Sequence, residues 1–332
     1  MRIFKPEYYD RFRCIAGDCP DSCCKEWDVQ VDSRTAERYR NLPGEFGDRV
    51  RKALKDVDEE TVIAMVNGRC PLWQADGLCG IQRTLGEEAL CQVCRDYPRL
   101  THDYGDFREL GLELSCPEAA RMILNASAAP LGFQELPGEE TGDYDEEAMD
   151  ILKATRETMR TILADETRPV PEVLTLALLY GCQAQSQLDG GEDYPFDRSA
   201  ALAEAGELKK EGDLEGIFAF FRNLEILTPQ WRDLLTRPVS GSWEQGHLAL
   251  ARYFVDRYWL QAVSDYDLYS RVKFLIIATL LIKHLPGPIL RTAQLFSKEI
   301  ENDADNVDAI LDAAYTLDAF RDDRLLGLLQ LT

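Results

Sequence analysis

The stretch CIAGDCPDSCC, residues 14–24, places four cysteines in eleven positions, the last two adjacent. Successive side chains diverge, so Cys23 and Cys24 are poor packing residues as a pair, and at least one is expected to face a metal. Further along, Cys70 and Cys79 stand nine positions apart, Cys91 and Cys94 form a C-x2-C pair, and Cys116 stands apart. Nine of the ten cysteines lie between Cys14 and Cys116. The tenth, Cys182, sits in the apolar helical stretch LTLALLYGCQAQ and reads as core packing, since free cysteine behaves as a small buried hydrophobe.

The 332 residues predict about two domains. Apolar residues make up 45%, enough for a real core, which excludes global disorder. A net charge of −22 argues against a nucleic-acid partner, because phosphate binding needs clustered Lys and Arg. It suits a basic or lysine-bearing protein partner, or simply keeps the chain soluble. The first residues, MRIFKPEYYDRF, lack an apolar signal-peptide core. The longest apolar run, FLIIATLLI at 274–282, is far short of the roughly twenty residues that span a bilayer. The expectation is a cytoplasmic protein without a membrane segment. In a reducing compartment, clustered cysteines point to metal or catalysis before disulfides.

Charge divides the chain as the cysteines do. Residues 1–130 carry 18 basic and 23 acidic residues; residues 131–332 carry 19 and 36. Between them ELPGEETGDYDEE, residues 135–147, holds seven acids with Pro137, Gly138 and Gly142 and reads as an exposed linker. The expected domains are therefore a Cys-rich metal-cluster domain, 1–130, and an acidic helical domain, 131–332. In the second half, apolar residues recur at three- and four-residue spacing over 145–164, 172–188, 197–222, 243–263, 267–284, 287–301 and 306–329, predicting helices. Ser242 to Gln245 reads as a capping-box start. In the first half, 27–31 and 110–114 alternate as strands, while 35–42 and 48–55 read as helices. Thr84 to Glu87 reads as another capping-box start, and Cys116-Pro117 opens a helix whose dipole would favour a thiolate at Cys116. The fold class is mainly α: an irregular, Cys-rich, metal-binding N-terminal half with short strands, and a helical-bundle-like C-terminal half.

Three states of the cysteines compete: an iron–sulfur cluster held by four thiolates, one or two tetrahedral zinc sites, or inert or disulfide-linked thiols. Their density in a reducing compartment favours metal. Spacing alone leaves iron–sulfur and zinc open, and either site would be thiolate-rich, because His102 is the one histidine nearby. His102, in LTHDYGD, reads as a solvated loop residue; His247 and His284 read as surface or groove residues on helices.

The motifs PEYYDRFRCIAGDCPDSCCKEWDVQVD, CPLWQADGLCGIQRTLGEEALCQVCRDYPR and LELSCPEAARMIL, in that order, resemble the flagellin lysine-N-methylases. The middle block is also similar to a broader class of small zinc- or iron-chelating Cys-rich proteins. The resemblance covers about residues 6–124. It implies transfer of a methyl group from S-adenosylmethionine to lysine side chains of flagellin or a related surface protein, and a metal centre of the [4Fe–4S] type. It also implies a set of candidate ligands: Cys19, Cys23, Cys24, Cys70, Cys79, Cys91, Cys94 and Cys116. Cys23, Cys70, Cys79 and Cys94 match the broader class best.

No strand followed by a Gly-rich turn announces a dinucleotide-type donor site. A C-x3-C-x2-C signature is also missing, since Glu26 stands where the third cysteine would be. Aromatic faces stabilise a sulfonium by cation–π contact. Tyr8, Tyr9 and Tyr97 are accordingly candidate catalytic residues, and Trp27, Arg95 and Arg99 candidate cofactor contacts. The plainer reading makes the aromatics packing groups and pairs Arg95 and Arg99 with Glu87 and Glu88. The rival functions are a metal-stabilised adaptor or chelating protein without catalysis, and an iron–sulfur electron-transfer protein.

Overall fold

The structure is a computed structural model that describes residues 1–135 and 142–329. The strands are β1 (Arg2–Lys5), β2 (Val29–Gln30), β3 (Leu54–Val57), β4 (Glu60–Ile63), β5 (Arg99–Asp103), β6 (Phe107–Leu112) and β7 (Gly132–Glu135). The first five helices are α1 (Ser33–Arg40), α2 (Gly44–Ala53), α3 (Gly80–Leu85), α4 (Gln92–Asp96) and α5 (Pro117–Leu124). Ten follow: α6 (Glu146–Leu163), α7 (Val170–Leu188), α8 (Arg198–Leu208), α9 (Leu214–Arg222), α10 (Pro229–Leu235), α11 (Gln245–Tyr258), α12 (Leu268–His284), α13 (Ile289–Phe296), α14 (Ala304–Thr316) and α15 (Asp322–Leu329). The chain is mainly α, and among the described residues its strands are confined to the first 135.

Two small sheets organise the N-terminal half. The first has the order β5-β6-β1-β7, with β1 parallel to β6 and antiparallel to β7. The second, β2-β4-β3, is antiparallel. Each sits on a different core. The larger core joins Tyr8, Phe12, Phe107, Leu112, Leu114 and the buried face of α5 to the helices of the C-terminal half. The smaller core gathers Val29, Val31, Tyr39, Val50, Ile63, Leu72 and Ile81 around the cysteines.

Helix α12 is buried on every face, polar residues included, and forms the axis of the helical half. At its side, α13 continues into a π-helical turn, Ser297–Glu301. Gly181 lets α7 lie close to α12, because a Cβ there would stand 2.5 Å from Val272.

Several expectations change in detail. The helix expected over 197–222 is two, α8 and α9, because Asp213 starts the second by accepting from Gly216 N–H. The helix over 306–329 is likewise broken into α14 and α15 by a 3₁₀ turn at Asp318–Phe320. Helix α10, capped by Thr228, is added. Thr84 to Glu87 ends a helix instead of starting one, because Gly86 takes φ +87. The capping box of α11 is Glu244 with His247, two residues beyond Ser242. Of the linker expected over 135–147, Glu135 ends β7 and Glu146 and Glu147 already belong to α6; residues 136–141 lie outside the described residues. Cys182 is exposed on α7 and lines a cleft, so it is no core residue.

Candidate metal centre

Backbone pairing carries the cysteines toward one another. Lys25 bridges Arg69, and Cys70 N–H donates to Cys24 C=O at 2.9 Å, so the Cys23-Cys24 segment runs beside Cys70. A turn through Gly77 (φ +80) then folds Cys79 back against Trp73. Gly80 N–H closes this turn on Leu72 C=O at 2.8 Å, and a Cβ at Gly80 would stand 2.8 Å from that same oxygen. Cys79 is the N-cap of α3 and Cys91 of α4. Asp32 sets the position of Cys91: one carboxylate oxygen caps α1 at Thr35 N–H, 2.9 Å, and the other accepts from Gln92 N–H at 3.1 Å. Tyr39 Oη donates to Ala89 C=O at 2.7 Å and so holds the backbone two residues before Cys91.

The result is a smaller core containing buried Cys70 and Cys91, with Cys24, Cys79 and Cys94 packed against it. Their thiols interact. The Cys23 thiol donates to Cys24, whose pKa falls to about 7, and the Cys94 thiol donates to Cys91, which also falls to about 7. The two donors are pushed up correspondingly. Burial raises Cys70 to about 11 and raises Cys79 as well. Among the described residues, no three His, Cys, Asp or Glu side chains already stand at the spacing of a metal site. The chemistry of the donor set nonetheless fits a thiolate-bound group: five sulfurs share one core, a neighbouring thiol lowers the pKa of two of them, Cys24 and Cys91, and histidine takes no part.

Cys116 belongs to the larger core and is a charge neighbour of Cys23. It is the N-cap of α5, as expected, but its thiol is raised to about 11. Burial outweighs the hydrogen bonds from the Glu118 and Ala119 amides, so the helix start does not make a thiolate there. Cys19 and Cys14 are its charge neighbours.

The loop from Cys19 to Cys24 is held by the helical half. Gln294 Nε2 donates to Asp21 Oδ2 at 3.1 Å and to Ser115 C=O at 2.7 Å, joining the middle of the Cys19–Cys23 loop to the residue before Cys116. Arg291 reaches Asp21 at 3.1 Å, and Lys298, on the π-helical turn, reaches both Asp21 oxygens. Burial pushes the Asp21 carboxyl up, but these three partners outweigh it and hold the group below its usual range. Lys298 also pairs with Glu26 and lies 5.1 Å from the Trp27 ring centre. Trp27 meets Tyr97 at 6.3 Å, and Tyr97 Oη bonds Ser115 Oγ at 3.1 Å.

Trp27 and Tyr97 therefore border the cysteines, whereas Tyr8 is buried in the larger core on a cavity of about 30 Å³. Tyr9 lies half-buried near Arg99 and Lys5. Arg95 pairs with Asp96 at 3.6 Å, and Arg99 lies over the Phe12 ring at 5.3 Å; neither meets Glu87 or Glu88. Nor is His102 a solvated loop residue. It sits on β5 in the wall of that small cavity, its Nε2 buried without a hydrogen bond. His247 is buried in its capping box, and His284 is buried with Nδ1 2.7 Å from Val239 C=O. Sequence reasoning missed Arg291, Gln294 and Lys298. Their signal is three long polar side chains at i, i+3 and i+7, the spacing of one helix face.

No family model matches the chain, and no solved structure matches it. Three curated proteins do. The lysine-N-methylase of Salmonella typhimurium strain LT2 is 32% identical over 132 residues, covering 38% of this chain and 33% of that protein. The lysine-N-methylase of Salmonella choleraesuis is 28% identical over 139 residues, again covering 33% of its length. The flagellar biosynthetic protein FliU of Salmonella muenchen is 31% identical over 132 residues, and here the match covers 78% of the relative. The match thus spans about a third of the two methylases and most of FliU, and on that coverage the chain belongs to the flagellin lysine-N-methylase family.

Proposed function

We propose that the chain methylates lysine side chains of flagellin or a related surface protein, with S-adenosylmethionine as donor and a thiolate-held iron–sulfur cluster, zinc being the alternative metal. The observation that carries this reading is the five-sulfur core in a chain whose relatives are named lysine-N-methylases. Those names support a methyltransferase at family level.

The cluster ligands would come from Cys24, Cys70, Cys79, Cys91 and Cys94, with Cys23 beside Cys24 as a further donor. Cys19 and Cys116 are charge neighbours of each other outside the five-sulfur core. A [4Fe–4S] group held there would supply a fixed charge and a redox-active centre. Trp27 and Tyr97 would wall it off from the helical half, and Lys298 would balance its negative charge near Glu26.

Methyl transfer needs a neutral lysine amine. Its lone pair forms the new C–N bond as the C–S bond breaks, the bonding pair stays on sulfur as a thioether, and the ammonium proton leaves to a base or to water. The helical half, with 19 basic against 36 acidic residues, would draw the lysine-bearing substrate in.

The test is anaerobic purification followed by iron, sulfide and zinc analysis, then incubation with flagellin and labelled S-adenosylmethionine, with methyl-lysine read by mass spectrometry. About four iron and four sulfide per chain with methylated product is the expected result. Zinc without product would move the chain to the adaptor reading. A cluster with reversible one-electron reduction and no product would move it to electron transfer.

A further inference from the structure

A cleft of about 720 Å³ opens between α7, α8 and the start of α15, a place that no sequence motif announced. Its volume falls within the roughly 300–1,000 Å³ that enclose nucleoside-sized ligands. A lone lysine side chain would occupy only a small part of it. The walls are mixed: Leu179 and Cys182 come from α7, Ala200 and Glu204 from α8, and Leu326 from α15.

The cations in this cleft are already satisfied. Lys273, on α12, lies 2.9 Å from Asp322 Oδ1, donates to Ala314 C=O at 2.7 Å, and rests between the Tyr269 and Tyr315 rings. Arg321 pairs with Asp323 at 3.0 Å, and Asp323 also takes Lys210 at 2.6 Å. Glu204 makes no hydrogen bond or ion pair with another described residue. The uncompensated charge in the wall is therefore negative. Aromatic groups line the same cleft: Tyr194 is 57% exposed, with its carbonyl held by Gln183 Nε2 at 2.6 Å, and Phe196 is braced edge-on by Tyr180 at 5.2 Å. A free carboxylate in one wall, with an exposed and a braced aromatic ring lining the same cleft, suits an organic cation carried on a flat, partly apolar body.

We propose that this cleft binds the methyl donor, an adenosyl sulfonium, with Glu204 facing its cationic end and Tyr194 and Phe196 its planar end. The proposal rests on the methyl-transfer reading and places the donor in the helical half, away from the cysteines.

The test uses the full chain and three probes: S-adenosylmethionine, the uncharged thioether S-adenosylhomocysteine, and Nα-acetyl-lysine methylamide. Binding is read by calorimetry and by the alkylation rate of Cys182, followed as the mass of its peptide. Ala200→Trp fills the cleft from an exposed position, and its melting midpoint reports folding. S-adenosylmethionine should bind, slow Cys182 alkylation several-fold, and lose at least about tenfold in affinity in Ala200→Trp. Glu204→Gln should cost about three- to tenfold, and the thioether should bind more weakly by a similar factor. Equal donor binding by a folded Ala200→Trp overturns the site. So does methylation of flagellin at the wild-type rate by that variant, which leaves the methyl-transfer reading standing. Donor binding that protects Cys182 without any methylated product upholds the site and sinks the reading. No donor binding, or preference for the lysine analogue, overturns the site.

Discussion

The Lys298 ammonium stands 3.3 Å from each carboxylate oxygen of Asp21, across 277 residues of sequence. It joins a buried π-helical turn to the loop that carries Cys19, Cys23 and Cys24. Both side chains are almost wholly withdrawn from solvent, 2% and 8% exposed, so their pairing differs from a surface ion pair.

Replacing Lys298 by Met leaves Asp21 and Glu26 without their shared cation, although Arg291 and Gln294 still reach Asp21. A loss of about 3 kcal/mol in denaturant-measured stability is expected, with faster alkylation of Cys23 and Cys24 as their loop loosens. Lys298→Arg should recover part of both. Unchanged thiol reactivity in Lys298→Met would show that the loop does not depend on the clamp.

Glu109 and Arg156 form a second buried pair, two-pronged at 2.6 and 2.8 Å, and Arg156 Nε has no partner of its own. Arg156→Met strands a carboxylate in the core and should cost roughly 3–5 kcal/mol. The double variant Glu109→Met with Arg156→Met should recover most of that loss, because it removes the stranded charge too. A double variant as unstable as the single one would mean that the pair acts through its shape.

His247 carries a pH signature. Burial first, then Lys283 and His284, lower its pKa to about 4 against a backbone hydrogen bond at Glu244 that opposes the shift. The unfolded chain takes up a proton near pH 6.5, the folded chain only near 4, so stability falls as pH drops through that window and is flat above it. The contribution is at most about 3 kcal/mol. His247→Gln should flatten the urea midpoint between pH 4 and 6.5, relative to wild type.

Metal content sorts the cysteines. Cys70→Ala and Cys91→Ala remove buried sulfurs from the five-sulfur core and should lower bound metal per chain together with the melting midpoint. Cys182→Ala, in the distant cleft, should change neither. Elemental analysis of the three purified variants decides this. Full metal in both core variants would remove Cys70 and Cys91 from the ligand set.

The helical half was legible because its helices carry strong periodicity. Its interruptions at 209–213 and 317–321 were not: the first is a short polar break that leaves the apolar spacing on either side intact, and the second carries buried Ala319 and Phe320, so the apolar pattern runs straight through it. In the N-terminal half, composition announced the cysteine core, but sequence could not show that Cys24, Cys70, Cys79, Cys91 and Cys94 share the smaller core while Cys116 joins the larger one and Cys14, Cys19 and Cys23 belong to neither. That division depends on Cys70 N–H meeting Cys24 C=O, a pairing no local pattern specifies. Cys182 and Cys116 mislead for opposite reasons. An apolar neighbourhood in sequence left Cys182 facing a cleft, and a helix start left Cys116 too buried for the dipole to prevail.

The position of β1 has a consequence in time. Residues 2–5 lie between β6 and β7, so their two neighbours are made only after more than a hundred further residues. At about 5–20 residues per second, the first strand waits on the order of ten seconds for its slot. Pairing β1 with β6 closes a loop that contains every cysteine from Cys14 to Cys94. The entropy of that closure grows with the length of free chain in the loop, and prior folding of the smaller core shortens that length. Assembly of the sulfur-bearing segment thus comes first and eases the sheet shut behind it, so the order of synthesis leaves the thiols reachable while the newborn chain is still open.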